Sequence, residues 1–279
     1  MKIKFWGSRG AIPVPDGRMI KYGGNTSCVE VSIGSNTMIL DAGTGIRKLG
    51  EQIKKRKIRN MDIFITHSHW DHIQGFPFFT PIYSKESNIN IFGSTKSYKH
   101  IKDSLVNQMS QEFFPVRFSD LKSRINFIEI HEGSTEMYDY RIKTMQTNHP
   151  IYTLGIRIEK NNNSFVYITD NELCSEKPQS SWNDFVQFVG EATYLIHDAQ
   201  FTKSEYNKRR GWGHSSYRDV IQLAVDAGVK NLGFFHHDPD RRDIELDKIE
   251  KKYQGVCKEK KYNFKVFAVK EQEEITLTK

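Results

Sequence analysis

The segment Phe64-Ile65-Thr66-His67-Ser68-His69-Trp70-Asp71-His72 places three histidines and an aspartate within six positions, directly after an apolar run. Polar groups crowded at the end of a strand cost free energy unless each finds a partner. A chain with this feature must therefore fold so that other groups reach the same rim. Imidazole and carboxylate donors at this density suit zinc, iron or manganese. Strand ends lead into loops, which is where scaffolds carry chemistry.

The rest of the chain supplies partners at matching places. His149 follows a strand pattern in Thr147-Asn148-His149-Pro150. Asp170 ends the run Tyr167-Ile168-Thr169. His236 and His237 follow the apolar run Leu232–Phe235, and either suits the same role. Each group sits where a strand runs out, so a common rim is expected. His100 and His131 stand apart and read as surface or locally satisfied residues.

Strands are expected at 3–6, 28–33, 37–40, 61–65, 89–92, 124–130, 141–146, 152–159, 164–169, 193–197, 231–235 and 264–269. Gly34-Ser35-Asn36 and Asn161-Asn162-Asn163 are turn signals between neighbours. Helical patterns follow Gly45 (Ile46, Leu49, Ile53, closing on a basic run) and span about Thr95 to Gln111. Another starts at a Ser216 cap with Asp219 three residues on, presents Val220, Leu223, Ala224 and Ala227 on one face, and stops at Gly228. A polar helix covers about 240–258. There is no linker, low-complexity tract or repeat, so residues 1–279 read as a single domain. Antiparallel strand groups with helices between and after them indicate two sheets covered by helices.

Thr66-His67-Ser68-His69-Trp70-Asp71-His72 resembles the His-x-His-x-Asp-His motif of the metallo-β-lactamase superfamily. His149, Asp170 and His236 occur in the order which that superfamily uses. The resemblance implies an α/β fold, an αββα sandwich of two mixed sheets flanked by helices, with a two-metal site at one edge. Carried over, His67, His69 and His149 hold one divalent ion; Asp71, His72 and His236 hold a second; Asp170 bridges them. His236 is preferred to His237 because Phe234-Phe235-His236 fits the family's strand-then-histidine pattern. Asp41 resembles the aspartate that braces the metal-binding loop. Zinc is the first expectation for both ions, with manganese or iron as alternatives. Two such ions share a water, lower its pKa toward neutrality and direct the hydroxide at phosphorus or a carbonyl carbon. Asp71 is expected to orient that nucleophile or take its proton.

The resemblance also narrows the branch. Flavodiiron proteins carry a carboxylate where this chain has His69, which points away from redox chemistry. Periplasmic β-lactamases lack the bridging aspartate that Asp170 resembles. Glyoxalase II-type thiolester hydrolases share the ligand set. His197-Asp198-Ala199 and Gly213-His214-Ser215 are similar to the His-Glu-Ala and His-Ser-Thr motifs of tRNase Z and related phosphodiesterases, with aspartate in place of glutamate. Asp198 and His214 then form the pair that protonates the leaving oxygen; the bland alternative has His214 capping its helix. The span between His149 and Asp170 has no room for the insertion with which tRNase Z grips tRNA. A phosphodiesterase acting on a small cyclic nucleotide or related diester is therefore the first expectation. An RNase Z-like ribonuclease or thiolester hydrolase comes second, and a non-catalytic binding module last.

Composition adds bounds. Net charge is +7, favouring anionic partners such as nucleotides or RNA, with basic clusters at 54–57, 208–210 and 258–261. The three cysteines form no CxxC pair, so no disulfide framework or thiolate zinc site is indicated, and free buried thiols are expected. No apolar stretch is long enough to span a membrane, and the N-terminus reads as a strand, so a cytoplasmic protein with no membrane partner is expected. Phe76, Phe78, Phe79, Tyr83, Phe113 and Phe114 are candidates for stacking on a base, for core, or for the interface of a homodimer.

Overall fold

The apolar runs become strands, and the strands sort into two mixed sheets. A computed structural model describes residues 1–94, 96 and 98–278. They divide into two units, each assembled from separated segments: 1–14, 23–131 and 270–276 in the first; 15–22, 132–269 and the residues from Leu277 in the second.

The first unit contains β1 (Lys2–Gly7), β2 (Cys28–Ile33), β3 (Asn36–Leu40), α1 (Ile46–Lys55), β4 (Asn60–Phe64), α2 (Trp70–Ile73), β5 (Asn88–Ser94), α3 (Tyr98–Asn107) and β6 (Arg124–Ile130). The C-terminal strand Glu274–Thr276 (β14) returns to pair with β1, giving the order β14-β1-β2-β3-β4-β5-β6. Pairing is antiparallel from β14 to β3 and parallel from β3 to β6. Helix α1 buries Ile46, Leu49, Gly50 and Ile53, the spacing of one helical face, and closes on Lys54 and Lys55, which suit a helix C-terminus. Phe76 and Phe79 are fully buried in this core, whereas Phe78 and Phe113 reach solvent. The start expected at Thr95 lies outside the described residues.

The second unit contains β7 (Gly133–Met137), β8 (Tyr140–Gln146), β9 (Leu154–Lys160), β10 (Asn163–Ile168), α4 (Trp182–Val189), β11 (Tyr194–Asp198), α5 (Lys203–Lys208), α6 (Tyr217–Asp226), β12 (Asn231–Phe235), α7 (Asp243–Glu259) and β13 (Lys265–Ala268). Its order is β13-β12-β11-β10-β9-β8-β7, antiparallel from β7 to β10 and parallel from β10 to β13. Central strands β10 and β12 are buried almost throughout, which explains their unbroken apolar runs. Strand β7 is polar and exposed at the sheet edge, and so left no apolar pattern to read. Ser216 caps α6, accepting from the Asp219 amide. Gly228 follows in the left-handed region at φ 65°.

Two mixed sheets flanked by helices, the expected class, are thus present, one per unit. Cys28 and Cys257 are buried, but Cys174 is exposed, against expectation. It lies in the irregular segment after β10 rather than in a strand. Among the described residues no helix is long and apolar enough to cross a membrane.

Candidate metal centre

Parallel register brings the chemistry-bearing residues of each unit to one sheet edge. In the first unit Leu40 pairs with Phe64, so Asp41 and the Thr66–His72 segment leave adjacent strands side by side. In the second, Ile168 pairs with His197 and Asp198 with Phe235, which sets Asp170, Asp198 and His236 at neighbouring strand ends. The C-terminal edge of parallel strands is where open α/β sheets bind ligands.

Asp41 organises the first cluster. It is fully buried, with φ 62°. Its Oδ1 accepts from the Thr66 amide at 2.8 Å and the Thr66 hydroxyl at 2.9 Å. Its Oδ2 accepts from His72 Nδ1 at 2.9 Å. A carboxylate only accepts here, so His72 carries its proton on Nδ1 and presents the Nε2 lone pair. His67 Nδ1 lies 3.1 Å from Thr66 Oγ1. Since that hydroxyl donates to Asp41, it accepts from His67, whose Nε2 is left to bind. His67 Nε2 is 3.0 Å from His69 Nδ1, and His72 Nε2 is 3.4 Å from Asp71 Oδ2. The one-turn α2 carries Asp71 and His72, and Asp71 Oδ2 accepts from the Ala11 amide at 2.8 Å. The Gly-rich segment after Asp41 permits this closeness: a Cβ on Gly43 would lie 2.3 Å from the Asp71 carbonyl oxygen.

The second cluster is built the same way. His149 Nδ1 donates to the Gly213 carbonyl at 3.0 Å, turning Nε2 toward Asp170 Oδ1, 3.7 Å away. Asp170 Oδ2 accepts from the Thr169 hydroxyl at 2.7 Å and lies 3.2 Å from His236 Nε2. His214 Nδ1 donates to Asp198 Oδ2 at 2.6 Å. Donor atoms of Asp170, His214 and His236 all fall within 4.8 Å of one another. Asp170 and His236 hold left-handed backbones, with φ of 50° and 55°. Three such residues, Asp41, Asp170 and His236, at strand ends mark strain of the kind that collects at functional sites.

These clusters fit divalent metal ions by their donor chemistry. They comprise imidazole nitrogens and carboxylate oxygens, and in His67, His72 and His149 the other ring nitrogen is engaged so that Nε2 faces the cluster. His237 lies elsewhere: its Nε2 donates to the Val269 carbonyl at 2.9 Å, and the ring is fully buried against Tyr22. His214 does not cap α6, since Ser216 does. His131 is exposed, as expected of a surface residue.

Two supports were missed at the sequence level. Thr66 links His67 to Asp41. Glu172, buried behind the second cluster, accepts from the Gly211 and Gly213 amides at 3.0 Å and from the Tyr206 hydroxyl at 2.9 Å. It thereby fixes the loop that carries His214 and the carbonyl that orients His149. A lone glutamate after a strand gives no signal of this. His197 is buried, and desolvation depresses its pKa; it lies 2.6 Å from the Asp198 carbonyl through Nδ1 and 3.2 Å from Asn171 Nδ2 through Nε2, which steadies the end of β11.

The chain is similar along most of its length to known proteins. It is 24% identical to a ribonuclease Z of Picrophilus torridus over 88% of each chain. The fold superposes on the short form of human tRNase Z with a TM-score of 0.70 and 18% identity, covering 100% of both chains. It superposes on a diphosphatase of the PhnP family with a TM-score of 0.69 and 15% identity, covering 99% of this chain and 98% of the other. The pattern of the beta-lactamase superfamily domain matches residues 36–237, from β3 through the second cluster. That match covers well over half of the chain and both clusters, and the protein belongs to the beta-lactamase superfamily.

Proposed function

We propose that this protein is a metal-dependent phosphodiester hydrolase whose substrate is a small nucleotide diester, cyclic nucleotides included. The observation that carries the reading is the Asp198–His214 pair at 2.6 Å, its carboxylate fully buried and its imidazole partly exposed, set beside Asp170 and His236. Thiolester hydrolysis releases a thiolate, which needs little help to leave. An alkoxide expelled from phosphorus needs a proton, which is what an imidazolium held by a carboxylate offers.

Two divalent ions per chain are proposed, zinc first, with manganese or iron as alternatives. His67, His69 and His149 would hold one, Asp71, His72 and His236 the other, and Asp170 both, so that residues 1–279 act as one domain. Bound ions of this kind supply Lewis acidity toward a water and toward the non-bridging phosphate oxygens. The side chains supply the rest. Asp71, held by the Ala11 amide, orients the attacking water and takes its proton. The water oxygen bonds to phosphorus as the ester P–O bond breaks. His214, fixed through Nδ1, delivers a proton from Nε2 to the departing oxygen. Asp198 is a positioning residue that also favours the cationic ring.

A ribonuclease reading is supported by the likeness to ribonuclease Z along most of the chain. Against it, only the short β9–β10 hairpin separates His149 from Asp170. Side-by-side assay of 2′,3′- and 3′,5′-cyclic nucleotides and of an RNA bearing a 3′ trailer separates the two. Turnover of a cyclic nucleotide with the RNA intact supports the proposal. Cleavage of the RNA alone favours the second reading, and loss of neither substrate contradicts both.

A further inference from the structure

The loop that precedes His214 carries a cation and an aromatic ring that the hydrolytic chemistry does not use. Arg209 follows α5, and its guanidinium lies over two rings, 5.1 Å from the centre of Phe201 and 5.7 Å from that of Trp212. Phe201 in turn meets the His214 ring edge-on at 5.9 Å. Trp212 is 60% exposed. It stands two residues from His214, which along extended chain is at most about 7 Å.

The neighbouring basic residues are neutralised. Arg210 pairs with Glu176 at 3.0 Å, and Arg241 with Glu205 at 2.7 Å. Arg209 meets no carboxylate among the described residues; its contacts are the two rings. A single exposed aromatic side chain needs no explanation by itself. An exposed indole stacked on an arginine that has no acidic partner, beside the histidine proposed to protonate a leaving group, is a different case.

The loop is also preformed. Glu172 ties Gly211 and Gly213 from below, and both glycines occupy the left-handed region, at φ 81° and 83°. Binding there costs little ordering of the backbone.

We infer that Arg209 and Trp212 form a nucleotide-binding lip: the indole stacks on the base of the substrate, and the guanidinium takes an oxygen of its phosphate. This inference rests on the nucleotide-diester reading above and adds which side chains hold the base and its phosphate. Stacking of bases on aromatic side chains tolerates any base, so the lip selects for a base without selecting which one.

The test compares two diesters with the same leaving group, thymidine 5′-(p-nitrophenyl phosphate) and methyl p-nitrophenyl phosphate. The wild-type protein is expected to prefer the nucleotidyl ester in kcat/KM. Trp212→Ala should reduce that preference about tenfold, mainly through KM, and Trp212→Phe should restore most of it. A binding readout runs beside it: adenosine 5′-monophosphate should quench tryptophan fluorescence in the wild-type protein and not in Trp212→Phe. A preference unchanged in Trp212→Ala overturns the lip while leaving phosphodiester hydrolysis standing. If neither ester is hydrolysed, the underlying reading fails, and the quench still decides the lip: its absence, or its persistence in Trp212→Phe, overturns it.

Discussion

The Nδ1 atom of His214 lies 2.6 Å from Oδ2 of Asp198, and the other carboxylate oxygen is buried with no hydrogen-bond partner among the described residues. A buried carboxylate with one oxygen unsatisfied gains more from a cationic partner than from a neutral one. With Nδ1 donating to Asp198, Nε2 is the ring atom left to pass a proton to a leaving group in the proposed reaction. Asp198→Asn keeps an acceptor in place but removes the charge. For diesters with an alkyl leaving group it should lower kcat by about 10²–10⁴. For a p-nitrophenyl diester, whose leaving group needs no proton, the loss should be much smaller. Paired kinetics on the two substrate types, with metal content measured in parallel, check this. Equal losses would mean that the pair only holds structure.

Gly213 has φ 83°, and a Cβ there would sit 2.2 Å from His149 Nδ1. Gly213→Ala must therefore move the ring or the loop. It should cost roughly 1–3 kcal/mol in stability and weaken metal retention, because the carbonyl that orients His149 belongs to the same residue. Thermal unfolding and chelator competition measure both effects.

Asp41 carries the load for two histidines, His72 directly and His67 through Thr66. Asp41→Asn should weaken metal affinity by about 10–100-fold, the usual range for partners behind the ligands. Thr66→Val should give a smaller loss, since it breaks only the branch to His67. Competition with a chromogenic chelator would rank the variants. An affinity unchanged in Asp41→Asn would contradict the bracing role.

Glu205 caps α5 and accepts from Arg241 at 2.7 Å. Burial pushes its carboxyl group up, but hydrogen bonds from Arg241 and Thr202 outweigh this and hold it at about 2, against an ordinary 4.5. A carboxyl depressed on folding contributes stability above its unfolded value, and this is lost as pH falls from about 4.5 through about 2. Glu205→Gln should flatten that part of the acid limb and cost about 1–2 kcal/mol near neutral pH, a figure discounted for the pair's partial exposure. Denaturant unfolding across pH 2–7 shows whether the limb changes.

Much of this was legible because strands and ligands follow local rules. The apolar runs at Leu232–Phe235 and Met61–Ile65 announce buried strands, and histidines or aspartates directly after them announce the rim. The Ser216 cap and the Asn161–Asn163 turn are local hydrogen-bonding preferences. Strand β7 was hidden because an exposed edge has no apolar periodicity. Helices α4 and α5 each carry a capping box, at Ser181 with Asp184 and at Thr202 with Glu205, which was readable and passed over. Thr66 and Glu172 were not legible at all. Their roles depend on which backbone groups the fold places opposite them, and that is tertiary information.

His67, His69, Asp71, His72, His149, Asp170 and His236 are proposed as the ligands of a metal-dependent hydrolytic enzyme. The most direct measurement is the metal content of the purified protein, combined with turnover of bis(p-nitrophenyl) phosphate in added zinc and manganese, for the wild-type chain and Asp71→Ala. Two metal ions per chain in the wild-type protein, with turnover lost in Asp71→Ala, is the predicted result. Failure to bind metal after reconstitution with either ion would contradict it.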